Sequence, residues 1–563
     1  MEQEKQLAGI DIAVKVTTIL LAIALLGAFT LVDAAENYKF DFGEGPVAAG
    51  YTQVKASTKY SDSQGYGFES GTVSSVDRLW DDDLTTDFLT AKGDMVFSVA
   101  LPQGNYEVTF ILGDGENESE TTVWAENRKL MLDRITLAGG VFSRQTVSLR
   151  RMETRSMDGS VTMSIKDREK DYRTWDKKLT FVISGKAPAV AGIEIKRNDN
   201  VITLWLCGNS TVVDQITAPW AGWGQMAPGF FKSSLAIANY AESGLTASGF
   251  YSMKRLAKIL AEVKKGDFVT VQFAHNDQKN QNDVNNYEAT LTKYANEIKA
   301  KGATPLFVTS TARQNETDPK TAVGGLPERM RALGKKLGVT VLDLNQHSIT
   351  LGKALGGNKE KMYMYTASDK THFCEYGAYE LARANIEEIK AKVPELAKHL
   401  RDDHEAFDSS KPDPLDVLTR AKTLITEGGL IQVEPESSSS EEPESSSSAE
   451  IAGPESSSAT EGISSSAAEG ISSSAEGTEG TTAVESLTPR NAISGRIDGS
   501  TLHLEGIDGG AHDISVFDMQ GHRIAEFRAV QGSELYVTLR QGAYLVKVAQ
   551  GNRALGIFKA VRR

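Results

Sequence analysis

Apolar positions along this chain follow different rhythms in different stretches. Over residues 36–198 they come in short alternating runs. Asp94-Met-Val-Phe-Ser-Val-Ala-Leu101 and Tyr106-Glu-Val-Thr-Phe-Ile-Leu112 are separated by the turn signal Pro-Gln-Gly-Asn. Gln145–Leu149, Ser160–Ile165 and Leu179–Ile183 continue the pattern. Such spacing predicts a β-sandwich. From residue 199 to about 400 the period alternates. Strand-like runs at Ile202–Leu206, Phe268–Phe273, Thr304–Thr309 and Val339–Leu344 interleave with helix-like runs at Tyr251–Val263, Tyr287–Ala300, Pro327–Leu337 and Tyr376–Lys390. Leu256, Ile259, Leu260 and Val263 stand at i, i+3, i+4 and i+7, one face of a helix. Strands alternating with helices predict a parallel sheet covered on both faces. Its ligand crevice is expected beyond the carboxyl ends of the strands, where Ser210 and Asn276 fall.

The pattern then lapses. Residues 406–433 are expected to form a helical extension. Residues 434–485 hold five serine runs among Glu, Pro, Ala and Gly without an aromatic, a composition that cannot bury a core. This predicts a disordered, self-repelling linker. Residues 486–563 return to short strands, including Asp513–Phe517, Glu534–Leu539 and Ala543–Val548, and predict a small all-β module. At the other end, Val16 to Val32 is free of charge and is followed by Val32-Asp-Ala-Ala35, small residues suited to cleavage. Residues 1–35 therefore read as a signal peptide, with an uncleaved anchor as the alternative, although Glu2, Glu4 and Asp11 are unusual ahead of such a segment.

At 563 residues the chain is too long for one core. Of its net charge of −14, twelve glutamates fall in the linker, so the folded parts are nearly neutral and no basic domain points to nucleic acid. Cys207 and Cys374, flanking the residues singled out next, are either two buried thiols or a disulfide; spacing does not decide between them. Trp80, Trp124 and Trp175 either pack in the sandwich or form a sugar-stacking surface.

The chemistry gathers in four blocks: Gly208-Asn-Ser-Thr-Val, Asn239-Tyr-Ala-Glu-Ser-Gly-Leu-Thr, Gln272-Phe-Ala-His-Asn-Asp-Gln278 and Asp369-Lys-Thr-His-Phe373. A neutral serine needs an adjacent base to become a nucleophile, and the base needs a carboxylate to fix its tautomer. Ser210, His372 and Asp369 supply those types. No Gly-x-Ser-x-Gly elbow occurs, which disfavours the ordinary α/β-hydrolase; Ser243 is the nearest rival nucleophile. No His, Cys and Asp cluster has metal-ligand spacing, so neither metal nor other cofactor is expected.

In this order the blocks resemble the SGNH, or GDSL-type, hydrolases. Gly222-Trp-Gly-Gln225, the Gln272–Gln278 run and Asp369-x-Thr-His-Phe-x-x-Tyr-Gly-Ala378 narrow the resemblance to rhamnogalacturonan acetylesterases and related carbohydrate O-acetylesterases. The resemblance spans about 200 residues and implies a flavodoxin-like α/β/α domain over 199–405. It implies Ser210 as nucleophile, His372 as base and Asp369 as its orienting acid. The oxyanion hole would be the backbone N–H of Ser210 and Gly244 with the Asn276 side-chain amide. Trp223, Gln225, His275 and Asp277 are candidate substrate contacts, although Trp223 equally suits support of the site floor and His275 suits a packing role better than that of a base. Asn209 stands where the family usually has Asp, Ala274 where it has Gly, and Leu245-Thr246 where pectin-acting relatives often have Arg. Ile514-Ser-Val-Phe-Asp-Met-Gln-Gly and Gly542-Ala-Tyr-Leu-Val-Lys-Val resemble C-terminal sorting modules of type IX-secreted bacterial proteins, with a plain β accessory module as the alternative. The expectation is a monomeric esterase, secreted or held at the outer surface of a Gram-negative bacterium through its secretion machinery. It would remove acetyl groups from plant cell-wall polysaccharide. An SGNH lipase or thioesterase, and a non-catalytic carbohydrate-binding surface protein, are the alternatives.

Overall fold

The computed structural model describes residues 37–413, apart from 79–81, 358–363 and 367–368, together with strand segments between 494 and 562. The signal segment, the linker and Trp80 lie outside the described residues.

The N-terminal part is a β-sandwich. One sheet runs in the order Tyr66–Ser70, Met95–Ala100, Lys178–Ala187, Ser119–Ala125, Lys129–Leu137. The other contains Ser143–Arg151, Gly104–Leu112, Val190–Arg197, Asn37–Phe42 and Thr52–Val54, in that order. Inward residues of both sheets, among them Phe42, Phe97, Val108, Phe110 and Phe181, form its core. The Pro-Gln-Gly-Asn turn carries the chain from one sheet to the other, because Met95–Ala100 pairs with Lys178–Ala187 whereas Gly104–Leu112 pairs with Ser143–Arg151. Ser160–Ile165 forms no strand beyond an isolated bridge from Arg155 to Thr162. That segment instead belongs to a connection that crosses onto the next part of the molecule, where Ser164 N–H donates to Met253 O.

The second part is the expected parallel sheet. Strands β1 (Ile202–Cys207), β2 (Leu235–Asn239), β3 (Phe268–Val271), β4 (Thr304–Val308) and β5 (Thr340–Leu342) lie in the order β2-β1-β3-β4-β5. This is the order of a flavodoxin-like sheet, whose switch point lies between β1 and β3. Alternation along β1 serves both faces: Leu204 and Leu206 enter one apolar cluster, Trp205 and Cys207 the other. Helices α1 (Arg255–Glu262), α2 (Gln281–Ala300), α3 (Leu326–Leu337), α4 (Leu344–Leu355) and α5 (Glu375–Lys392) cover the sheet. The apolar run 251–263 is not one helix. It breaks at Lys254, which takes a left-handed φ of 60° and separates α1 from a short helix over Ala247–Ser252.

The two parts are joined more closely than a linker would join them. Ser143–Arg151 pairs in parallel with β2 at Leu149 and Ile237, so the sandwich sheet continues into the α/β sheet. Trp124, Leu130 and Val182 of the sandwich share a cluster with Val213, Trp223 and Phe230. Trp124 is therefore core, and Trp175 packs against Tyr240 with ring centroids 5.8 Å apart. Trp124 therefore offers no stacking surface, whereas Trp175 is half-buried. Residues 406–413 are turns and irregular chain, where a helix was expected; the rest of that extension lies outside the described residues.

The C-terminal unit is β throughout its described residues. A three-stranded antiparallel sheet contains Ser494–Asp498, Thr501–Glu505 and Glu534–Tyr536. A four-stranded one runs Arg523–Val530, His512–Asp518, Gly542–Gln550, Arg553–Arg562. Ile514, Val516, Val546 and Val548 are buried within it.

Candidate active site

The first block begins where β1 ends. Gly208 allows the chain to turn tightly, since a Cβ there would lie 2.5 Å from the Val212 side chain. The turn is closed by Val212 N–H and Val213 N–H donating to Asn209 O at 2.9 and 3.0 Å. Ser210 sits on this turn. Its Oγ is 2.7 Å from His372 Nε2, and His372 Nδ1 is 2.5 Å from Asp369 Oδ2. Asp369 Oδ1 also accepts the backbone N–H groups of Thr371 (2.8 Å) and His372 (3.0 Å), which sets the loop that carries the imidazole. Burial alone would raise the Asp369 pKa, but hydrogen bonds from His372 outweigh it and hold it at about 2. With Asp369 ionised, Nδ1 carries the proton it donates, and Nε2 is left to accept from the Ser210 hydroxyl.

Gly244 follows β2 with φ +76°, a conformation that favours glycine, and is exposed. Among the described residues, neither the Ser210 nor the Gly244 backbone N–H has a protein acceptor. The Asn276 side chain is half-buried and donates to Leu245 O at 3.2 Å, which ties it to the Gly244 turn. Among the described residues Ser243 makes no bond to an imidazole; its Oγ accepts from Gln215 Nε2 at 3.4 Å, so the rival nucleophile lacks a base there.

The four expected substrate contacts are not surface residues. Trp223 is 1% exposed, and its Nε1–H donates to Gln272 Oε1 at 2.8 Å. Gln225 is fully buried and donates to Arg128 O at 2.7 Å. His275 bonds Thr311 O through Nε2 at 2.8 Å, and burial holds its pKa near 3, a neutral packing residue. Asp277 accepts the Ala247 N–H at 2.8 Å, and burial raises its pKa to about 6. All four are buried and bonded to the protein interior, although His275 Nδ1 and Asp277 Oδ2 have no partner among the described residues. Asn209 is buried too: its Oδ1 accepts from the Thr211 N–H at 3.3 Å and hydroxyl at 3.1 Å. Cys207 and Cys374 are buried thiols that form no disulfide; burial raises both pKa values, that of Cys374 to about 11.

Sequence reasoning missed the residues that hold this site from behind. The hairpin joining Ser119–Ala125 to Lys129–Leu137 drives its tip between the loops of Ser210 and His372. Arg128 ion-pairs with Glu375, three residues after His372, and donates to Gln215 O and Trp220 O at 3.2 and 3.1 Å. Lys129 pairs with Asp214 at 3.3 Å, four residues after Ser210. All four charged groups are buried. Glu126 and Arg128 both adopt positive φ (54° and 59°), a strained state that persists only where surroundings enforce it. In sequence, Glu126-Asn-Arg-Lys129 is indistinguishable from an exposed turn.

Fold and site together define a carboxylic-ester hydrolase. Residues 207–378 match the GDSL-like lipase/acylhydrolase family, and residues 38–144 match the β-agarase/YXIM esterase-like, galactose-binding domain-like family. Rhamnogalacturonan acetylesterase RhgT of Bacillus subtilis (strain 168) is 34% identical over 218 residues, covering 35% of this chain and 94% of that protein. A probable rhamnogalacturonan acetylesterase, YesY, from the same organism is 28% identical over 202 residues, 33% of this chain and 92% of its own. The uncharacterized esterase YxiM, again from that strain, is 27% identical over 393 residues, 66% of this chain and 96% of YxiM. The chain belongs to the GDSL-like lipase/acylhydrolase family, with a galactose-binding-like β domain ahead of the hydrolase.

Proposed function

We propose that this protein hydrolyses O-acetyl esters on plant cell-wall polysaccharide, with acetylated rhamnogalacturonan as its preferred class. The reading rests on the Ser210–His372–Asp369 chain of hydrogen bonds beside two unpaired backbone N–H groups. Ser210 Oγ attacks the acetyl carbonyl as its proton passes to His372 Nε2. The carbonyl oxygen takes the negative charge and is received by the N–H of Ser210, the N–H of Gly244 and the Asn276 amide. The ester C–O bond then breaks, and His372 returns the proton to the departing sugar hydroxyl. Water, deprotonated by His372, attacks the acetyl-serine; acetate leaves and Ser210 regains its proton.

The similarity to rhamnogalacturonan acetylesterase RhgT and to the probable rhamnogalacturonan acetylesterase YesY supports the choice of polysaccharide. Acetate release from acetylated rhamnogalacturonan, xylan and mannan tests it. The expected order places rhamnogalacturonan first by kcat/KM. Faster release from xylan or mannan would reassign the polymer, and release of long acyl chains in preference to acetate would reassign the reaction to a lipase or thioesterase.

The same reading makes the protein a secreted or surface enzyme, exported through residues 1–35 and sorted by its C-terminal β module. The uncharged run Val16–Val32 and the small residues after it support this. N-terminal sequencing of the exported protein is expected to begin at Glu36. A start at Met1 would make the segment an uncleaved anchor.

A further inference from the structure

The connection over residues 152–177 belongs to the sandwich, yet it reaches the turn that carries Gly244. Lys166 Nζ donates to Ser243 O at 2.5 Å, and Arg168 Nη2 donates to the same oxygen at 2.9 Å. Two cations thus converge on one backbone carbonyl. The segment is locked in place: Glu169 pairs with buried Arg255, which also donates to Tyr240 O at 3.0 Å, and Glu169 Oε2 accepts the Lys166 N–H at 2.9 Å. Arg168 is further tied to buried Glu242, the residue before Ser243. A Cβ placed on Gly244 would meet Lys166 Nζ at 3.2 Å.

The carbonyl of Ser243 and the N–H of Gly244 are two ends of one peptide group. In a planar trans peptide they point in opposite directions. Fixing the oxygen therefore aims the N–H, and positive charge on the oxygen draws electron density from the nitrogen and strengthens its donor. We propose that Lys166 and Arg168, supplied by the β domain, are positioning residues for ester hydrolysis: they clamp and polarise the Ser243–Gly244 peptide so that the Gly244 N–H meets the oxyanion. The inference rests on Gly244 serving as an oxyanion donor, as proposed above. It also gives the β domain a part in the chemistry, since hydrolase residues alone leave the Ser243 oxygen without these donors.

Lys166 is half-exposed, so Lys166→Met is the direct test, read with 4-nitrophenyl acetate and with phenylboronic acid, whose tetrahedral adduct on serine imitates the oxyanion. Losing an oxyanion donor outright costs about 10²–10³ in kcat. Misaiming and weakening one is expected to cost about tenfold in kcat, with KM within about twofold and affinity for phenylboronic acid falling by the same factor as kcat. Lys166→Arg, which keeps the charge, is expected to recover most of the loss. If Lys166→Met lowers the yield of folded protein, Lys166→Gln, a neutral donor, carries the same test with an intermediate loss. The proposal fails if kcat stays within twofold of the parent, if kcat falls while phenylboronic acid affinity does not, or if Lys166→Arg is as slow as Lys166→Met. Ser210→Ala separates the two readings: retained turnover in that variant would remove the assignment of the site itself, whereas lost turnover with an unaffected Lys166→Met would remove the clamp alone.

Discussion

Ser210→Ala is expected to lower kcat on 4-nitrophenyl acetate by about 10⁴- to 10⁶-fold while leaving the thermal unfolding temperature close to the parent's. The substitution removes one hydroxyl whose bond is the 2.7 Å contact to His372, and it creates only a small void beside a partly exposed imidazole. Among the described residues no other group bonds that oxygen, so activity and stability separate. Asp369→Asn probes the other end of the chain. Its amide can no longer act as a pure acceptor toward Nδ1–H, so the imidazole is free to present a proton on Nε2, where Ser210 needs an acceptor; a loss near 10⁴-fold is expected. Asp369 has a pKa of about 2, below its ordinary value. The stability it contributes is therefore fully present above about pH 4 and is lost as pH falls through 2. Its ionisation does not shape the activity profile of the parent enzyme near neutrality. Near-parental turnover by Ser210→Ala would place the nucleophile elsewhere.

What could be read from the chain and what could not follow from where each signal lives. A parallel strand ending in Gly-Asn-Ser is a local pattern, and so is an Asp-x-x-His loop, and the structure joins the two. The candidate substrate contacts are buried, two of them for a geometric reason. After β3 the consecutive residues His275, Asn276 and Asp277 cannot all face one way, and the structure leaves Asn276 half-buried while both neighbours turn inward. Membership in a block does not say which neighbour faces the cleft. Trp223 and Gln225 are buried for another reason. They lie on a short helix covered by the sandwich hairpin, and a contact between residues 97 positions apart leaves no periodic trace. The same applies to Ser160–Ile165, whose alternation suits a strand but whose backbone is used to reach Met253. β2 and α4 were not anticipated: β2 is a short fully buried run, which periodicity alone does not separate from a helix segment.

The second large effect concerns the buried hairpin tip. Arg128→Met is expected to destabilise the protein by about 3–5 kcal/mol, because the stem volume is kept while the Glu375 carboxylate is left buried without its partner. Burial already lowers the Arg128 pKa to about 10, a sign of how little water reaches it. The α5 N-terminus, where Glu375 sits in the first turn, offsets part of the cost through its backbone N–H groups, but not the loss of a guanidinium. Glu375→Gln placed in the same chain removes the stranded charge, so the double variant is expected to be more stable than Arg128→Met alone, by about 2 kcal/mol in a double-mutant cycle of urea unfolding. Additivity within about 0.5 kcal/mol would show that the pair does not act as a unit. Activity is expected to follow stability in one respect only. Arg128 also holds the Gln215 and Trp220 carbonyls, and Gln215 Nε2 donates to Ser210 O at 3.0 Å, so the serine loop loses a support that Glu375→Gln cannot restore. The double variant should therefore regain stability while keeping a kcat deficit. That split would make the β domain a structural component of the esterase site; full recovery of kcat would confine the tip to a role in folding.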